Sequence, residues 1–240
     1  MRKFFFLFLV AVHLFMLAAC SKPPAHPPRL LVVFVDMSAS IPDSERELYQ
    51  SYLDKIISTR RAGDRLMVAK ISDGTMVRFS PIFARTLPEY SFWMDNPLSH
   101  KRELDKIRSE VRQKTEAMLK SSEHTPRTEI IMSFLVSEEE FRAWRGAKRL
   151  VLLSDMLECS NELNFEARPL ALTPTAIETA LQRLRNKNRM ARLDSVSVWV
   201  AGATAHNTDD FLAVKAFWER YIRETGAMLE HYSHDIGQFE

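Results

Sequence analysis

The chain has 240 residues, 46% of them hydrophobic and 27% charged, with 33 basic against 31 acidic side chains. That length supports one domain with an ample core, and the near-neutral charge lends nothing to nucleic-acid binding. Six glycines leave little from which to build a phosphate cradle. The chain carries no Gly-rich phosphate loop, no Gly-x-Ser-x-Gly and no His-Glu-x-x-His.

Met1-Arg2-Lys3 is a short positive region, and Phe4 to Met16 is an apolar stretch too short to span a bilayer stably. Leu17-Ala18-Ala19-Cys20 then places small residues before a cysteine, which makes residues 1–19 a secretory signal peptide. The last four of these positions resemble the bacterial lipobox. The resemblance implies cleavage before Cys20, lipidation of Cys20, and, with Ser21 rather than Asp next, the periplasmic face of the outer membrane. Removing Arg2 and Lys3 with the signal leaves 31 basic against 31 acidic residues. Ser21 to Arg29, SKPPAHPPR, holds four prolines and is expected to be an extended tether of about 3 Å per residue, roughly 25 Å in all.

Leu30 to Asp36, LLVVFVD, is an unbroken, β-branched-rich apolar run that predicts a strand buried on both faces of a parallel sheet. Asp43 to Thr59 is a helix, with Leu48, Tyr52 and Ile56 at four-residue spacing, and Arg65 to Ser72 is a second strand. Asp73-Gly74 is a tight turn, followed by a short antiparallel strand at Met76 to Ser80. Thr86 to His100 is irregular and clusters Tyr90, Phe92 and Trp93; Lys101 to Ser121 is a charged helix presenting Leu104, Ile107, Val111 and Met118. Further on, helices are expected at Thr128 to Trp144, Pro174 to Asn188 and Asp209 to Thr225. Strands are expected at Arg149 to Asp155, Asp194 to Gly202 and Ala227 to Tyr232. The alternation predicts an α/β fold, a doubly wound, mostly parallel six-stranded sheet with one antiparallel edge strand and helices on both faces.

Two strands end in aspartate. Asp36 opens Asp36-Met37-Ser38-Ala39-Ser40, and Asp155 follows the RLVLLS run. At the carboxyl ends of parallel strands these hard oxygens suit Mg²⁺ or Ca²⁺ and not zinc. The Asp-x-Ser-x-Ser pattern resembles the metal-ion-dependent adhesion site of von Willebrand factor A (VWA) domains, a family with one antiparallel edge strand in an otherwise parallel sheet. The resemblance implies a ligand set of Asp36, Ser38, Ser40, Thr128 and Asp155, with Thr125 as the rival to Thr128. Ser38 and Ser40 would coordinate through their hydroxyls, with the aspartates partly acting through water. The cation would be Mg²⁺, or Mn²⁺ or Ca²⁺, with one position left open for the Asp or Glu of a protein partner. Met156 departs from the glycine the family often has after the second aspartate.

The organisation expected is therefore a signal at 1–19, a lipidated cysteine and tether at 20–29, and a VWA-like domain at 30–240. Asp36 and Thr128 lie 92 positions apart, which places an insertion around 81–123 beside the site. The functional expectation is a lipid-anchored, cell-envelope binding module, with no enzyme activity and no small-molecule substrate. A metal-independent scaffold that uses the insertion as its contact surface is the alternative. Cys159 has no thiolate-stabilising neighbours in the sequence. The basic run Arg183, Arg185, Lys187, Arg189 and Arg192 is explained by its place at a helix C-terminus.

Overall fold

The computed structural model describes residues 27–75, 79–90, 95–121, 125–167 and 170–240. The expected signal peptide, Cys20, most of the tether, and Phe92 and Trp93 lie outside the described residues. The described residues form six strands and five helices, in the order β1 (Arg29–Asp36), α1 (Asp43–Ser58), β2 (Arg65–Ile71), β3 (Phe83–Thr86), α2 (Pro97–Leu119), α3 (Ile130–Arg142), β4 (Ala147–Leu153), α4 (Pro174–Asn186), β5 (Val196–Ala201), α5 (Thr208–Glu224) and β6 (Met228–Tyr232). The sheet order is β3-β2-β1-β4-β5-β6. Every pairing is parallel except β2 with β3.

β1 is central because it is apolar on both faces. Val33 lies opposite Val68 of β2 on one side and Val151 of β4 on the other. Its alternate residues feed two separate cores. Leu30, Val32 and Phe34 pack with side chains from α3, α4 and α5, including Phe134, Leu181, Phe217 and Trp218. Leu31, Val33 and Val35 pack with α1 and α2, through Tyr49, Leu53, Ile107 and Val111. Each such aliphatic side chain, fully buried, contributes roughly 1.5–3 kcal/mol.

Local signals set the helix ends. Pro97 and Pro174 occupy first-turn positions with Asn96 and Thr173 as side-chain caps, and Asn207 accepts from the Asp210 backbone at 2.8 Å to start α5. Among the described residues no helix is long and apolar enough to cross a membrane. Arg185 of the basic run bridges Glu178 and Glu224, and Lys187 pairs with Glu162.

Among the described residues the antiparallel edge strand is Phe83–Thr86; of the strand expected at Met76 to Ser80, residues 76–78 lie outside the described residues. Gly74 makes the turn at φ 77°, but the Thr75 hydroxyl then bonds back to the Ser72 carbonyl at 2.7 Å. Further on, Ile82 N donates to the Val68 carbonyl where the chain meets β2. Residues 233–240 form a strap over the α1 face, burying Ile236 and Phe239 in the second core. The strap is held by Tyr52 Oη to the His234 carbonyl (3.1 Å), by Trp199 Nε1 to the Ile236 carbonyl (3.0 Å), and by Arg29 and Arg149 to the Glu240 carbonyl (2.7 Å each). The 81–123 segment supplies β3 and α2. α2 lies along α1, with Arg112 bonded to Asp54 at 2.6 Å. The Tyr90 ring is exposed and lies 5.3 Å from that of His100.

Candidate metal centre

β1 leads to α1 on one face of the sheet and β4 leads to α4 on the other, so a crevice opens between their carboxyl ends. Asp36 forms its floor. The side chain is fully buried: Oδ1 accepts from Ser38 N at 2.9 Å and Oδ2 from Ser154 Oγ at 2.6 Å. Ser154 Oγ accepts in turn from Met156 N at 3.0 Å. The Ser38 and Ser40 hydroxyls bond each other at 2.9 Å. Asp155 is 7% exposed, and its Oδ1 accepts from Leu157 N at 2.9 Å. A hydrogen bond from Ser40 also reaches the Asp155 side chain.

Met156 adopts φ 67°, the left-handed conformation a glycine would take freely. Its side chain is fully buried and its carbonyl accepts from Trp218 Nε1 at 2.9 Å, so the core and the indole hold the turn.

Both candidate threonines reach this edge, in different states. Thr125 pairs with the Asp36 loop through Ala39 N to its carbonyl (3.1 Å) and its own N to the Met37 carbonyl (3.4 Å), and its hydroxyl donates to the Arg127 carbonyl. Thr128 exchanges two backbone bonds with Cys159, at 3.2 and 2.9 Å. It is 1% exposed, and its hydroxyl has no hydrogen-bond partner. A buried hydroxyl without a partner costs about 1–3 kcal/mol. Of the two threonines, Thr128 is the one whose hydroxyl is left without a partner.

The charges are arranged against themselves. Burial raises the Asp36 carboxyl, against the hydrogen bonds from Ser154 and Ser38 that favour its ionised form. Burial, followed by the negative charge of Asp36, pushes Asp155 up to about 8, with exposed Glu166 adding to the effect. Two buried carboxyls that share a crevice resist ionising together, which adds to the burial that raises Asp155. Among the described residues no group of three or more His, Cys, Asp or Glu is placed to hold a metal. The set here is two carboxylates and three hydroxyls, the donor chemistry of a hard cation that keeps part of its water.

Three neighbours carry no signal in a linear reading. Ser154 fixes Asp36 from the end of β4. Glu158, fully buried, accepts from Ile131 N at 3.1 Å and so caps α3, whose preceding residue Glu129 makes no side-chain cap of its own. Burial pushes Glu158 up to about 8 despite the hydrogen bonds it receives. Tyr49 of α1 is the third, a buried hydroxyl without a partner. The Cys159 thiol is half-buried and raised, first by burial and then by Glu166.

No protein-family model matches the chain, and no curated protein matches it. Among solved structures the fold is similar to that of a von Willebrand factor type A protein from Catenulispora acidiphila, with 12% identity, a TM-score of 0.41, and coverage of 83% of this chain and 43% of that one. It is also similar to the PilB minor pilin from Streptococcus sanguinis, with 9% identity, a TM-score of 0.48, and coverage of 89% and 58%. The chain thus spans about half the length of these neighbours. The fold class rests on the sheet itself: six strands, mostly parallel, with one antiparallel edge strand and helices on both faces.

Proposed function

We propose that this chain is a VWA-like, lipid-anchored protein of the bacterial cell envelope that captures a protein partner through a divalent cation. Cys20 would carry the lipid. Asp36, Ser38, Ser40, Thr128 and Asp155 would hold the cation, Mg²⁺ in the first instance, with Mn²⁺ or Ca²⁺ as substitutes. The observation that carries the reading is the buried, partnerless Thr128 hydroxyl at the same sheet edge as two buried carboxyls, of which Asp36 raises Asp155. When bound, the ion would supply an electrophilic position for a visiting carboxylate. The chain's own hydroxyls would orient it, and Ser154 would hold Asp36 in place.

The rim qualifies the partner's chemistry. Asp43, Asp73, Glu166 and Asp235 are exposed at this edge of the sheet and Glu45 and Glu129 are half-exposed, while Lys120 is engaged by Glu116 and Arg127 by Asn161. An acidic rim repels an acidic surface. The partner's coordinating Asp or Glu would therefore sit among basic residues, which gives association a salt dependence that the ion alone would not impose. A groove of about 600 Å³ between the start of α1 and the end of α2, lined by Asp43, Glu47, Gln50, Glu116 and Lys120, opens at the same end.

One observation favours a metal-independent scaffold. Asp36 already has both oxygens bonded, and Ser38 and Ser40 satisfy each other. Calorimetric titration of the full chain in detergent with Mg²⁺ and Mn²⁺ decides between the two. The metal reading expects saturable binding of one ion, weakened at least tenfold in Thr128→Val, while the same variant without metal melts no lower than the parent. Absence of binding to several millimolar would leave the scaffold.

A further inference from the structure

Tyr49 belongs to no part of the ligand set, yet its position is tightly determined. It faces inward from α1, is fully buried, and its hydroxyl has no hydrogen-bond partner. Other buried tyrosines are satisfied: Tyr52 donates to the His234 carbonyl at 3.1 Å and Tyr221 to the Arg189 carbonyl at 2.9 Å. An unbonded hydroxyl at Tyr49 is therefore a property of its place in the fold.

That place is the wall of the crevice. Gly202, at φ 93°, lies so close that a Cβ there would come within 2.7 Å of the Tyr49 hydroxyl. The residues flanking Gly202 are bonded to the second aspartate's turn. Ala201 accepts from Ser154 N at 3.1 Å, and Thr204 N donates to the Asp155 carbonyl at 3.3 Å. The hydroxyl thus lies beside the Asp155 turn, on the opposite side of the sheet from the helices that follow Thr128. After burial, the charges of Asp36 and Asp155 act on it most strongly, and all three effects hold the phenol protonated, a donor. A donor near two carboxylates but bonded to neither leaves an acceptor position between them, the position a water on a hydrated cation would take.

We propose that Tyr49 is a positioning residue of the cation centre, its hydroxyl donating to a water of the ion's hydration shell and so orienting the ion between Asp36 and Asp155. This rests on the metal reading above. It requires no bond from Tyr49 to the ion. Thr128 and Tyr49 become the two sides of one polar cavity, each incomplete until a hydrated ion enters.

The test is Tyr49→Phe, which removes one oxygen and keeps the ring, in the full chain in detergent. Three readouts are compared with the parent: Mg²⁺ affinity by calorimetry, melting in chelator, and the tyrosine absorbance difference produced by adding Mg²⁺. The proposal expects affinity about tenfold weaker, melting in chelator unchanged or higher, and a Mg²⁺-dependent tyrosine difference in the parent that is absent from the variant. Unchanged affinity with an unchanged difference spectrum would overturn the role of Tyr49 and leave the metal reading standing. Weaker affinity with melting in chelator also lowered would make Tyr49 structural and overturn the proposal. A parent that binds no Mg²⁺ would overturn both.

Discussion

The two ends of the sheet treat buried charge in opposite ways. At the amino ends of the strands, Arg60 and Asp64 are 2% and 3% exposed and lie 3.8 Å apart, and Asp64 also accepts from Arg29 N and Arg61 N at 3.0 Å each. Burial lowers Arg60 to about 10 and the Asp64 charge opposes the shift, so the guanidinium stays protonated at neutral pH. At the carboxyl ends, buried Asp155 meets the like charge of Asp36, and Glu166 acts on both. The fold thus sets a guanidinium beside one buried aspartate and holds two others with hydroxyl and backbone donors; on the proposed function that second pair is where the ion would enter.

The contrast can be broken most forcefully at the base. Asp64→Ala strands Arg60 in the core, and about 3–5 kcal/mol of stability should be lost, read as a fall in the denaturant midpoint. A mutant within 1 kcal/mol of the parent would show that the base pair does not differ in kind from the crevice pair. The next effect is a pH dependence at the crevice end. Glu158 has an ordinary carboxyl value of 4.5 when unfolded and about 8 when folded, so between these values the folded state binds more protons than the unfolded. Stability should therefore fall as pH rises through that window, by on the order of a few kcal/mol. Glu158→Gln, which keeps an acceptor for Ile131 N, should flatten the slope. Denaturation midpoints at pH 5 and 8 measure it, and equal slopes for the two proteins would assign the effect elsewhere. The smallest expected effect comes from Ser154→Ala. It removes the 2.6 Å bond to Asp36 and should cost about 1.5–3 kcal/mol above the acid range. If protonation of Asp36 is what the hydroxyl opposes, the loss should shrink at low pH.

Most of the fold is legible in the sequence because β1 and β4 are apolar without interruption and the helices carry clear four-residue spacing. β3 leaves little mark in the sequence, because its four residues run from buried Phe83 through half-buried Ala84 to exposed Arg85 and Thr86 without alternation. Phe83 and Leu87 are its anchors, and Arg85 and Thr86 between them face solvent. The strap carries no signal in the sequence, since SHDIGQFE holds only two apolar residues, Ile236 and Phe239, both buried by the tertiary fold. At the site, Asp36, Ser38, Ser40 and Asp155 stand out because each closes or follows a buried strand. The choice of Thr128 over Thr125 turns on which hydroxyl finds a carbonyl, and the burial of Glu158 and Tyr49 arises from elements 27 residues away in one case and 153 in the other. Such facts belong to three-dimensional packing, and spacing does not encode them.

β1 begins at Arg29 and ends at Asp36, the floor of the crevice, with parallel partners along its length on both sides; on the proposed function the anchor would join it at Arg29. An anchor at one end and a partner at the other would pull along this single strand, about 25 Å long. Such a load runs along the strand and across its backbone bonds to β2 and β4, which would resist sliding together instead of opening one after another. On the proposed function, tension between membrane and partner would fall on the segment of the chain most fully enclosed by its neighbours.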